Sequence, residues 1–167
     1  MVASRKQTAQ TAPSAIRCRA GRYRNMGKDH SRIMRILVID AQGGGLGKQL
    51  ISRIKKEIPE AFITAVGTNS AAAEAMRKAG ADETATGENS VIVASRRAEI
   101  IVGPIGIVIA DSMIGEVTPA MAAAVAQSPA KRILIPFCNC DNYIAGVDEF
   151  QTGYLISCAI EKLKKEM

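Results

Sequence analysis

A chain of 167 residues with 22 Lys or Arg, 16 Asp or Glu and one histidine is long enough for one domain with a sizeable core and short for two. Its formal charge of +6 sits in the first 33 residues, where eight basic residues face Asp29 alone; the 14 basic and 15 acidic residues beyond nearly cancel, so no basic face follows for the folded part. No apolar run reaches bilayer-spanning length, no secretory h-region is present, and Cys18, Cys138, Cys140 and Cys158 do not read as a disulfide framework, so a reducing cytoplasmic setting is expected.

Residues 1–33 hold only Ile16, Tyr23, Met26 and Ile33 as large apolar groups after Val2. So few cannot repay the entropy of ordering the segment, which reads as a basic, disordered extension before a domain beginning at Met34. Two other readings stay open: a basic arm touching nucleic acid or acidic lipid, and an Arg-rich organelle transit peptide.

Ile36 to Ile39 reads as a buried strand and Leu46 to Ile58 as an amphipathic helix, with the glycine loop from Asp40 to Lys48 between them. Phe62 to Val66 forms a second strand ending at Gly67, and Thr68-Asn69-Ser70 caps a helix from Ala71 to Ala79. A short strand falls within Ala81–Ala85. Thr86-Gly87-Glu88-Asn89 opens a helix reaching about Arg97, although Val91-Ile92-Val93 equally suits a strand. Glu99 to Val102 is a strand closed by Gly103-Pro104, and the apolar run Ile105–Ile114 matches a buried helix. Thr118-Pro119 starts the helix Ala120–Ala126. Ile133–Ile135 and Tyr143–Val147 are the remaining strands, and Thr152–Glu166 is a closing helix with Leu155, Ile156, Ala159, Ile160 and Leu163 on one face. This alternation specifies an α/β fold, a three-layer Rossmann-like domain over residues 34–167 with a mostly parallel five- or six-stranded sheet. The strand order should reverse beside the first strand, which would set Asp40 and Gly103 across one crevice.

Four glycines within five positions, Gly43, Gly44, Gly45 and Gly47, let the chain turn tightly and let a ligand approach the helix N-terminus, where unpaired amides and the helix dipole favour phosphate. Asp40, Gly43, Gly44, Gly45, Leu46, Gly47 and Lys48 are therefore candidate binding residues. Thr68, Asn69, Gly103, Pro104 and Gly106 join them from the ends of other strands. The expected ligand is a small phosphate-containing molecule, NAD(P) or another nucleotide.

The spacing departs from each well-defined relative. Lys48 stands where a dinucleotide fingerprint has its third glycine, and Gln49 stands where a nucleotide-hydrolase loop has its magnesium-binding Ser or Thr. Gly45-Leu46-Gly47 resembles the end of the short-chain dehydrogenase pattern, yet the Tyr-x-x-x-Lys of that family has no counterpart. Strand 2 ends in Gly67-Thr68-Asn69, without a carboxylate for an adenosine ribose. A non-enzymatic structural or interaction protein, with a glycine loop that only packs, is the competing reading.

Asn69 and Asn139 could read a base or an acyl group, or simply cap and turn. Asp111 in its apolar run must be paired if ionised. Cys138 and Cys140 form a C-x-C beside Asp141, but His30 is the sole histidine and lies in the extension, so buried, inert thiols are expected rather than a four-ligand zinc site within one chain, and a site shared across a dimer stays open. An enzyme is allowed and not indicated. The apolar stretch Ile105–Ala110 and the Ala-rich helix after Pro119 exceed what one sheet readily covers, which leads us to expect a symmetric homodimer.

Val38 to Gly47, Gly67-Thr68-Asn69, Thr86-Gly87-Glu88-Asn89, Ile101 to Val108 and Lys131 to Pro136 together resemble the bacterial domain-of-unknown-function family 3842, from Met34 to about Glu166. Ala41 replaces the glycine expected at that place. The resemblance implies a Rossmann-like domain of unassigned activity.

Overall fold

Successive side chains of a strand point to opposite faces, and this divides β1 (Arg35–Asp40) between two cores: Ile36 and Val38 enter one, Leu37 and Ile39 the other. The structure, a computed structural model, describes residues 33–136, 144, 147 and 151–166. The other strands are β2 (Phe62–Gly67), β3 (Glu83–Thr86), β4 (Ile100–Pro104) and β5 (Lys131–Ile135). Every pairing is parallel, in the order β3-β2-β1-β4-β5. Chain direction across the sheet thus reverses between β1 and β4, where Val38 is level with Val102.

Parallel strands need crossovers, and the helices supply them. On the first core lie α1 (Gly45–Glu57), α2 (Ser70–Lys78) and α5 (Thr152–Lys164); on the second lie α3 (Glu88–Ser95), α4 (Pro119–Ala126) and a 3-10 turn at Ile105–Val108. The result is a three-layer Rossmann-like fold. Leu50, Ile51 and Ile54 of α1 are fully buried at helical spacing, each stabilising by about 1.5–3 kcal/mol.

Local chemistry explains the boundaries. Asn69 caps α2 by accepting from Ala72 N at 2.9 Å, and Thr118 caps α4 by accepting from Met121 N at 3.2 Å, with Pro119 in the first turn. The ambiguous Val91-Ile92-Val93 is helical. Gly87, at φ 89°, turns the chain, the Ser90 hydroxyl donates to Thr86 O, and Val91 alone of the three is fully buried.

One expectation is corrected. Ile105–Ile114 is no buried helix: after the 3-10 turn the chain folds back, Asp111, Met113 and Ile114 are left-handed, and Ile114 is 97% exposed. The Ser112 hydroxyl donates to Gly106 O at 2.6 Å, and Met113 packs onto the Cα of Gly106, so the glycine seats a reversal that a helix could not make. Of the sixth strand expected at Tyr143–Val147, only Ile144 and Val147 are described, neither in a strand; the remainder, and nearly all of the basic extension 1–33, lie outside the described residues.

A Cβ on Gly103 would meet Ile39 O at 2.5 Å, inside the β1–β4 pairing. Gly103→Val is therefore expected to destabilise the domain by about 1–3 kcal/mol, measured by urea unfolding; an unchanged midpoint would show that β4 can move aside.

Candidate functional site

At the carboxyl edge of the sheet β1 gives way to Ala41–Gly44, a turn with Gln42 at φ 51° and Gly44 at φ 68°. Helix α1 begins without a side-chain cap from Gly44 and without an acidic residue in its first turn. Asp40 takes that role from the end of β1. Its Oδ2 accepts from Gly47 N at 2.6 Å and its Oδ1 from Ala41 N at 2.9 Å, in a residue only 5% exposed. Burial pushes the Asp40 carboxyl above its usual range, and the nearby Glu116 charge adds to this, while the amides of Gly47, Ala41 and Leu46 pull it down.

Glu116 closes the same edge from the loop before α4. Its Oε2 accepts from Thr68 Oγ1 at 2.5 Å, Gln42 N at 2.8 Å and Asn69 Nδ2 at 2.9 Å. These donors, Thr68 foremost, hold the Glu116 carboxyl below its ordinary range. Asn69 also donates to Gln42 O at 2.9 Å, so the loops after β1 and β2 are stitched together. Glu116 is not among the candidate binding residues that the sequence offers. No spacing signal could have joined it to residues 48 and 74 positions away.

The glycines separate by what holds them. A Cβ on Gly44 would lie 2.8 Å from Ala72 Cα, and one on Gly47 would lie 2.6 Å from Met76 Sδ and 2.9 Å from Asp40 Cβ. Gly103, Pro104 and Gly106 are buried, and a Cβ on Gly106 would meet Met113 Cε at 2.7 Å. Gly43 and Gly45 differ: both are exposed, neither has positive φ, and a Cβ on either would meet nothing within 4 Å among the described residues. Gly44 N donates to Ala41 O and Lys48 N to Gly44 O, whereas the amides of Gly43 and Gly45 meet no acceptor among the described residues. Lys48 is exposed on the first turn of α1.

Thus Asp40, the glycine loop, Thr68, Asn69 and Glu116 come together, while Gly103, Pro104 and Gly106 serve the packing behind them. Asp111 is exposed, its N–H donating to Val117 O at 2.8 Å. No cluster of three metal-ligating side chains exists among the described residues, and no helix there is long and apolar enough to cross a membrane. Phe137 to Asn142, with Cys138, Asn139 and Cys140, lie outside the described residues.

Sheet order and edge geometry define a Rossmann-like α/β protein with its glycine loop at the switch point. The chain belongs to the family described as Domain of unknown function (DUF3842), whose model matches residues 35–167. No curated protein matches it. Among solved structures it is similar to a dodecameric FMN-dependent UbiX-like decarboxylase from Escherichia coli O157:H7, at 17% identity and a TM-score of 0.41, over 78% of this chain and 76% of that one.

The lowered Glu116 value carries a pH signature. Ionised Glu116 is favoured by folding, so its contribution is complete above the ordinary glutamate range and is lost as pH falls through the folded value. Glu116→Gln should cost about 1 kcal/mol at about pH 7, and the difference from wild type should shrink as pH falls through the lowered Glu116 pKa. Urea melts across that range check it; a difference that is independent of pH would refute the ionised contact.

Proposed function

We propose that this protein binds a nucleotide or dinucleotide, NAD(P) among the candidates, with a phosphate seated against the Gly43-Gly44-Gly45 backbone at the N-terminus of α1. The observation that carries this is the pair Gly43 and Gly45: packing and φ account for Gly44 and Gly47, but neither accounts for these two. Close approach of a ligand does, because a missing side chain leaves the amides of the turn accessible to phosphate oxygens. Lys48 lies one turn on, where its ammonium adds a mobile positive charge. The proposal is of binding, with no reaction attached.

A second reading has its own support. Asp40 already occupies Gly47 N, so part of the helix terminus is satisfied without a ligand. In that case the loop is a packing turn in a structural or interaction protein.

Calorimetry with NAD, NADP, FAD, ATP, GTP and coenzyme A separates the two. One or more should bind, and Gly45→Val should abolish the binding while shifting the melting temperature by no more than about 2 °C, because its Cβ meets nothing. Silence from every ligand with well-folded protein would favour the packing turn.

A symmetric homodimer belongs to the same reading. It is supported by the small outer face of α4, with Ala120 and Ala123 exposed, and by Ile114 at the adjoining loop. Light scattering at micromolar protein should report about twice the chain mass; a monomer at about 100 μM would end the idea.

A further inference from the structure

In sheets that bind dinucleotides, the second strand commonly ends near a carboxylate that accepts a hydrogen bond from the ribose 2′-hydroxyl. Here β2 runs into Gly67-Thr68-Asn69, which contains none. The fold delivers one from elsewhere. Glu116 reaches the end of β2 from 48 residues beyond Thr68, and Thr68 Oγ1, Asn69 Nδ2 and Gln42 N all converge on its Oε2. Its Oε1 has no partner among the described residues. Gln42, whose amide it holds, directly precedes Gly43, so the unpartnered oxygen belongs to the same loop junction as the two open glycines.

We propose that Glu116 is the residue that recognises the ribose of the bound nucleotide, accepting from its 2′-hydroxyl through Oε1, and that it selects an unmodified ribose over a 2′-phosphorylated one. The proposal rests on the phosphate-loop reading above and extends it from the phosphate to the sugar.

The chemistry follows from how the carboxylate is held. Three donors fasten one oxygen and leave the other with its lone pairs uncommitted, which suits acceptance from a hydroxyl. The same donors favour the ionised form. An ionised carboxylate accepts and cannot donate, so a 2′-phosphate brought against it offers no hydrogen-bond donor and adds like charge.

The test uses the full chain and calorimetric titration with inorganic pyrophosphate, ADP, 2′-deoxy-ADP, NAD and NADP. Wild type should prefer ADP to 2′-deoxy-ADP, and NAD to NADP, by about tenfold or more each, the size of one hydrogen bond to a charged acceptor. Glu116→Gln retains an amide oxygen for Thr68, Gln42 and Asn69, and should bring both ratios toward one while pyrophosphate binds no more weakly than to wild type, because a like charge beside the loop is removed. Glu116→Asp keeps the charge at shorter reach; it should still disfavour NADP while losing the 2′-hydroxyl preference. Equal wild-type affinities for ADP and 2′-deoxy-ADP would overturn the assignment. So would a Glu116→Gln variant that weakens both ligands in the same proportion, since that is the mark of a tether between loops. Pyrophosphate binding that Gly45→Val abolishes would leave the phosphate reading standing even then; no binding by any of the five would sink both.

Discussion

The buried Asp40 carboxylate is the contact on which the carboxyl edge depends. A helix entering directly from a parallel strand leaves its first amides unpaired, and a glycine N-cap has no side chain to answer them. Asp40 answers from the strand itself, accepting from Ala41 before the turn and Gly47 after it. This fixes the turn from both sides, which is why Gly44 must adopt φ 68° and lie against Ala72, and why Gly47 must leave room for Met76 and for Asp40 itself. Two of the glycines are consequences of that one carboxylate's position.

Asp40 and Glu116 stand in opposite electrostatic circumstances at one edge. Burial raises Asp40, so its ionised form opposes folding, and that cost grows as pH rises through its folded value; donors lower Glu116, whose ionised form favours folding. The edge thus holds an expensive carboxylate behind the turn and an inexpensive one in front. A phosphate approaching the loop therefore meets unfavourable charge from both. In the proposed phosphate site, amide donors at Gly43 and Gly45 and the Lys48 ammonium would have to outweigh it, and binding there would be salt-sensitive because Lys48 is exposed.

How much of this was legible in the sequence varied with the range of the interactions. Local patterns marked β1, the loop and α1, since four apolar residues, four glycines and a helical stripe lie within one stretch. They also placed β3 and α4, and the reversal beside β1 follows from parallel crossovers. Ile105–Ile114 misled because an unbroken apolar run has no period, and only the reversal seated on Gly106 shows why it is not helical. Gly44 and Gly43 look alike in the sequence; what separates them is Ala72, nearly thirty positions on. Glu116 was invisible for the same reason, as its partners are distant along the chain and adjacent only in the fold.

The loop carrying Glu116 shows how that carboxylate is kept in place. Asp111, Met113 and Ile114 have φ of 59°, 56° and 60°, and Ile114 is β-branched, for which the left-handed region is least tolerable. Together these residues cost on the order of 3–6 kcal/mol. Asp111 N to Val117 O, Ser112 Oγ to Gly106 O and Gly115 N to Asp111 O, with the three bonds to Glu116, offset this at about 1 kcal/mol each. Ile114 is exposed at the tip while Met113 packs against the second core, so the loop's position is set by Met113 and by its two ends, Gly106 at one and the Glu116–Val117 pair at the other. Val117 is buried in the second core and Glu116 is bound to two other loops. The Glu116 carboxylate is therefore held in place by the fold itself, and in the ribose contact proposed above a ligand using its second oxygen would lose little further entropy in holding it there.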